Sequence, residues 1–210
     1  MQYGKSMGSY FDHPEWKTQL FYQGICCLIP LVGPFVLFGY HIEVFVTQRK
    51  HPDQPYPAFD FNKLVDYLKI GLWPLLAILV ISVVATPILM LTFAPTILID
   101  VLRIRGALAG ILVGLSFLLY LLGLLAMVVY VTPFMLHAGL RQELNFGANW
   151  AFCKDFAKRI WAPTIVMHLF LWAVSIPLFM LGYIACFVGV YPAMAYLFYI
   201  QWQLYRQLYD

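Results

Sequence analysis

The chain has 210 residues, of which 62% are hydrophobic and only 11% charged, with a formal net charge of +3 at pH 7. Soluble domains carry about 25% charged residues, and a chain this short cannot hide so much apolar sequence in a water-facing core. A soluble enzyme or binding domain is excluded, and the dispersed basic residues speak against a nucleic-acid surface.

Residues 1–17 include Asp12, His13, Pro14, Glu15 and Trp16. They lack the basic start, short apolar core and small-residue site of a secretory signal, so the first span is expected to stay in the mature protein. That span is read as Leu20–Val46, interrupted by Pro30, Gly33 and Pro34. An alternative reading makes residues 14–29 an interfacial or re-entrant segment feeding a shorter span from Pro34. Three uncharged runs follow: 28 residues from Leu72 to Ile99, 31 from Gly106 to Leu136, and 46 from Ile160 to Tyr205, relieved only by His168. A helix needs about 20 apolar residues to cross a bilayer core, so these runs hold one, one and two spans. They are placed at Trp73–Ile97, Ala107–Leu136, Trp161–Leu181 and Tyr183–Leu204. The fold class is an all-α polytopic transmembrane bundle of about five spans, one membrane domain over residues 1–210. Pro87 and Pro177 are expected to kink their helices, and broken helices can build a substrate site. Cys26, Cys27, Cys153 and Cys186 show no CxxC spacing and read as small buried side chains rather than a disulfide framework.

Cytoplasmic loops carry an excess of Lys and Arg. One side of this topology holds Arg49, Lys50, Lys63, Lys69, Arg141, Lys154, Lys158, Arg159 and Arg206, and the other holds Lys5, Lys17, Arg103 and Arg105. Loops 47–72 and 137–160 and the C-terminus are therefore expected in the cytoplasm, with the N-terminus outside. If the first segment is re-entrant, Lys5 and Lys17 change sides. Trp73, Trp161 and Trp202 sit at the expected cytoplasmic span ends, at headgroup level.

The two cytoplasmic connections resemble each other. Phe61–Pro74 reads FNKLVDYLKIGLWP and Trp150–Pro163 reads WAFCKDFAKRIWAP, and a shift of 89 places Asp66 on Asp155, Lys69 on Lys158 and Pro74 on Pro163. Each reads as an interfacial amphipathic helix. The first has Phe61, Leu64, Val65, Leu68 and Leu72 on one face and Asp60 as N-cap. The second has Phe152, Phe156 and Ile160 on one face and Asn149 as cap. Lys63, Lys69, Trp73, Lys154, Lys158, Arg159 and Trp161 are the expected membrane-interface residues. The unit of span, amphipathic helix and span would occur twice, over about 20–99 and 107–181, as a parallel repeat with an extra span over about 183–204.

The stretch LIPLVGPFVLFGY (Leu28–Tyr40), the basic Arg49 and PYPAFDFNKLVDYLKIGLWP (Pro55–Pro74) resemble the prokaryotic membrane family known as domain of unknown function 4013. Its pattern of an IP-hydrophobic-GY span, a basic turn, LP-x-FD and an amphipathic helix ending in glycine is met by Ile29–Pro30, Gly39–Tyr40, Pro57, Phe59–Asp60 and Gly71. The match is clear over about residues 15–80. The inserted HPDQPY (51–56) makes the turn longer than in some members. The resemblance implies a multi-pass protein of a bacterial or archaeal cytoplasmic (inner) membrane and supplies no activity.

Ionisable residues within spans default to a functional hypothesis. His41, Glu43, His137 and His168 fall in one leaflet-half of the bundle and form the candidate polar cluster for a proton path, a metal or a haem. The plainer reading pairs Glu43 with Arg141 or a histidine and gives the histidines to local carbonyls. No HxxxH, ExxH or HExxH spacing supports ligation, no catalytic residue is identified, and neither a metal nor another cofactor is expected. Gly106, Gly110 and Gly114 form two GxxxG steps where another helix can approach closely, expected first within the chain and otherwise in a partner. Asp100 and Arg103 can pair at i, i+3. The leading expectation is a non-enzymatic structural, scaffold or accessory subunit in contact with the lipid bilayer, in a homo-oligomer or larger membrane complex. A small transporter or channel for a lipid or hydrophobic solute comes second, and an intramembrane metal or haem protein third.

Overall fold

A computed structural model describes residues 1–30, 32–52, 54–185 and 187–209, with the backbone alone at position 100. Among the described residues the regular structure is entirely helical: α1 (Tyr3–Gly8), α2 (Trp16–Leu28), α3 (Val32–Lys50), α4 (Leu64–Leu91, entered through a 3-10 turn at Phe61–Lys63), α5 (Ala94–Leu102), α6 (Ala107–Arg141), α7 (Phe146–Ile184) and α8 (Val190–Tyr209). Three stretches are long and apolar enough to cross a membrane: Phe61–Ile99, Ala107–Arg141 and Phe146–Ile184.

The first expected span is not a single crossing. The chain breaks after Leu28 and doubles back, and a Cβ on Gly33 would stand 1.9 Å from the Cys26 carbonyl oxygen. Gln19 and Tyr22 of α2 meet Phe59 and Phe61, which follow α3 in sequence. The start of α2 and the end of α3 thus share one end of the molecule, as the re-entrant reading requires. The N-terminal segment is at that end too: Gln2 N–H donates to Gln207 Oε1 and Gln207 Nε2 to Ser6 Oγ. Lys5 and Lys17 therefore join the nine cations, giving eleven against Arg103 and Arg105, and the expectation of an N-terminus on the opposite side is corrected.

Helix α3 is buried on nearly all sides from Val36 to Phe45, the mark of a helix in the interior of a bundle. It runs parallel to α8, with Phe38 on Phe198 and Phe45 on Tyr209, and antiparallel to α4. At the α3–α4 crossing, a Cβ on Gly71 would lie 1.8 Å from Phe35 O and 2.8 Å from Gly39 N, and one on Gly39 would lie 1.9 Å from Tyr67 O. The backbones touch because neither position carries a side chain. Accordingly the buried stripe of α4 is Tyr67, Gly71, Pro74 and Ala77, whereas Phe61, Val65 and Leu72 of the expected apolar face are exposed. Trp202 is likewise a core residue, not an interfacial anchor.

Pro87 and Pro177 sit inside continuous helix. The interruptions fall before Pro95, where α5 begins, and at Ile160 in α7 (φ −132°, ψ 24°). Pro163 lacks the N–H that would bond Arg159 and crowds that carbonyl, while Thr164 Oγ1 donates to Ile160 O at 2.8 Å. Pro74, aligned with Pro163 in the expected repeat, leaves α4 unbroken. Asp60 accepts from Asn62 N–H as the expected cap, but α7 is capped by Asn145, which accepts from Ala148 N–H. Asn149 lies one turn inside that helix.

Candidate functional site

The four residues of the expected polar cluster go to four separate places. Glu43, about a quarter of its side chain in solvent, accepts from Lys63 Nζ at 2.9 Å on the rim of the α3–α4 pair, so its partner is neither Arg141 nor a histidine. His137 Nδ1 bonds Asn149 Oδ1 and its ring packs on Phe152, tying α6 to α7. His41 is fully buried between Phe198 and Trp202, and neither ring nitrogen has a hydrogen-bond partner among the described residues. His168 Nδ1 donates to Thr164 O at 2.9 Å, one of the local carbonyls expected. Among the described residues no three His, Cys, Asp or Glu side chains stand close enough to hold a metal ion. Cys26 and Cys153 are buried free thiols; Cys27 is free and part-buried. Cys186 and the Asp100 side chain lie outside the described residues.

His168 does line a cavity. A crevice of about 250 Å³ opens among α3, α4, α6, α7 and α8, walled by Phe38, Ile78 and Met135, with Thr132, His168, Gln201 and Tyr205 as its polar members. Donation from Nδ1 leaves His168 Nε2 with its lone pair, an acceptor in the neutral ring. Gln201 Nε2 donates one of its two N–H groups to Tyr205 Oη. The crevice therefore offers a few hydrogen-bonding groups on an otherwise apolar wall, the pattern of a pocket that orients an apolar ligand by a polar head. Gln201 and Tyr205 are absent from a reading based on charge. The signal was present, since Gln201 and Gln203 are the only amides in the 46-residue run.

A second constellation joins the residues of the family pattern. Tyr40 Oη donates to Pro57 O at 2.9 Å, and its ring meets Phe59 and Tyr67. Tyr67 Oη accepts from Asp60 N–H, and Phe59 N–H donates to Gln19 Oε1. With Gly39 against Gly71, these residues clamp the re-entrant α2–α3 hairpin to the start of α4. Sequence alone brought them together only as a resemblance; contact explains them. Beside the clamp, the rings of Tyr10, Tyr56 and Tyr199 pack together at 4.8–5.5 Å between centres, Tyr10 stacked on Tyr56 and meeting Tyr199 edge-on. Burial, then the neighbouring Tyr199, raises Tyr10 above the usual phenol value, and burial, then Tyr10, raises Tyr56.

Among the described residues the expected glycine contact is not made. A Cβ at Gly106, Gly110 or Gly114 would meet nothing within 4 Å. The α4–α5–α6 hairpin around them is apolar and bare, with Leu91 72% and Val101 69% exposed.

Comparison with the curated proteins and with the solved structures finds no match. A family model matches residues 22–198, reaching well past the region of clear resemblance into α8. The chain belongs to the family described as protein of unknown function (DUF4013).

Proposed function

We propose that this chain is a non-enzymatic membrane subunit that works by association, with the α4–α5–α6 hairpin as the face offered to a second membrane helix. The observation that carries the reading is the open glycine face of α6. A lipid-facing helix gains nothing from glycine, which costs about 1 kcal/mol relative to alanine, whereas a partner helix approaches closely there. The partner is a second copy of this chain or another membrane protein, and lipid covers the rest of the hairpin. The eleven-cation end is cytoplasmic by the positive-inside rule, in the inner membrane of a prokaryote as the family resemblance implies. No cofactor and no nucleic acid enters this reading.

The test is the size and composition of the particle extracted from native membranes in mild detergent. A dimer or a stoichiometric complex that falls apart in Gly110→Leu and Gly114→Leu is the expected result. A lone monomer, unchanged by both substitutions, overturns the reading.

A second reading, transport or storage of an apolar solute with a polar head, is favoured by the His168–Gln201–Tyr205 crevice. Flux in liposomes tests it, and the informative variant is His168→Leu, because Glu43 is tied up with Lys63 outside the crevice. Equal flux in wild type and variant removes the crevice from any transport mechanism.

A further inference from the structure

A polar pocket of about 710 Å³ lies where the N-terminal segment crosses the ends of α3 and α8. Its wall includes Lys5, Arg49 and Arg206, and no carboxylate among the described residues lines it. Its floor is built rather than incidental: Ser6, Gln48 and Gln203 are 2%, 8% and 3% exposed. Two acceptors there are already engaged. Gln48 Oε1 receives both Gln203 Nε2 at 2.5 Å and Arg206 Nη1 at 2.9 Å, and Ser6 Oγ receives Gln207 Nε2 at 2.8 Å. Donors are in surplus, since Arg206 spends one N–H on Gln48 and keeps the rest of its fork, and Lys5 makes no ion pair with a described carboxylate.

We infer that this pocket binds a phosphate group, gripped by Arg206 and Lys5 over the glutamine floor. The chemistry follows from the surplus: a ligand that only accepts hydrogen bonds and carries negative charge satisfies Lys5 and Arg206 without displacing the bonds of the floor. Arg49 and Arg206 also stand in the last turns of α3 and α8, where a cation suits the helix dipole. Lys5 comes from a separate segment and has no such duty to those helices. The phosphate comes either from a lipid headgroup at the membrane surface or from a soluble phosphorylated molecule.

The test uses the full chain in nanodiscs. Native mass spectrometry follows retention of phosphatidylglycerol against phosphatidylcholine, and thermal shift follows inorganic phosphate against chloride. Lys5→Gln removes an exposed charge and leaves the fold, and Lys17→Gln makes the same charge change elsewhere. Adding Arg206→Gln to Lys5→Gln should weaken binding about tenfold or more, as the loss of charge-assisted bonds requires. Phosphatidylglycerol retained by wild type and by Lys17→Gln but lost from Lys5→Gln supports the pocket with a lipid source. Protection by inorganic phosphate alone, lost in Lys5→Gln, supports it with a soluble source. No preference over the two controls, or equal loss in Lys5→Gln and Lys17→Gln, overturns it.

Discussion

Substituting Gly71 with alanine tests the central packing claim most directly. The added Cβ would stand 1.8 Å from Phe35 O and 2.8 Å from Gly39 N. Both are backbone atoms of a buried helix, so neither can rotate away, and α3 and α4 must separate by more than an ångström. Overpacking a well-packed interior costs roughly 1–3 kcal/mol, and a backbone clash belongs at the upper end. Alanine returns about 1 kcal/mol through helix propensity, leaving a net loss of about 2 kcal/mol. For a chain this size that is a fall of about 4–8 °C in Tm, measured by heating the purified protein and following the monodisperse fraction. Gly39→Ala, with its Cβ 1.9 Å from Tyr67 O, should do the same. The double variant should lose less than the sum of the two, because helices already pushed apart admit the second methyl. Gly110→Ala is the reference: its Cβ meets nothing within 4 Å, so the lone chain keeps or gains stability. If Gly71→Ala and Gly110→Ala melt alike, or if the two clamp substitutions simply add, the close crossing of α3 and α4 is wrong.

Three further outcomes follow from the buried polar groups. His41→Leu removes two buried ring nitrogens that have no partner among the described residues, so Tm should hold or rise by the equivalent of about 1 kcal/mol; a clear fall would reveal a partner such as an internal water. Tyr40→Phe strips the donor from Pro57 O at the clamp and should cost about 1–2 kcal/mol, read as a shifted midpoint in denaturant. Tyr10 and Tyr56 have phenol values raised by burial above the ordinary 10.0. Their contribution is fully present below pH 10 and is lost as the pH rises above it, because the unfolded chain ionises first. Unfolding and phenolate absorbance should therefore rise together in alkali, and phenolate appearing in the folded protein near pH 10 from these residues would refute the burial of the trio.

What the sequence made legible, and what it hid, divides along one physical line. The long uncharged runs hold the three stretches able to cross a membrane, with the expected span Tyr183–Leu204 not among them; the three were legible because length and apolarity need no knowledge of partners. Asp60 was legible as a cap because capping is local. The form of the first segment was visible only as an alternative, since Pro30 and Gly33 signal a break without saying whether the chain continues or returns. Asn149 was misread as a cap because Asn145, four residues earlier, offers the same chemistry, and only the packing of His137 decides between them. For the glycines, local spacing left the partner open. GxxxG spacing marks where a helix can be approached, while Gly39 and Gly71, isolated in sequence, owe their role to each other across the α3–α4 crossing.

That crossing also explains which helices face outward. The most apolar segments, α4 to α6, are the most exposed, whereas α3 and α8, with their histidine, tyrosines and glutamines, are the most buried. In water this would be an inverted molecule. In lipid, where tails solvate leucine as well as a protein core does, apolar side chains gain little by meeting one another, and association rests on close packing and hydrogen bonds. The interior then belongs to residues that pack through rings and bond through amides and phenols: Tyr40 on Phe59, Trp202 on His41, Gln203 on Gln48. Hydropathy reads the lipid-facing helices well and under-reads the ones inside, because the inside is where a bilayer protein can place polar groups. The His168 crevice and the Lys5–Arg206 pocket both adjoin α3 and α8. Chemistry in this chain is therefore to be sought on its two least membrane-like helices, and substitutions there separate a binding role from the outward association proposed for α6.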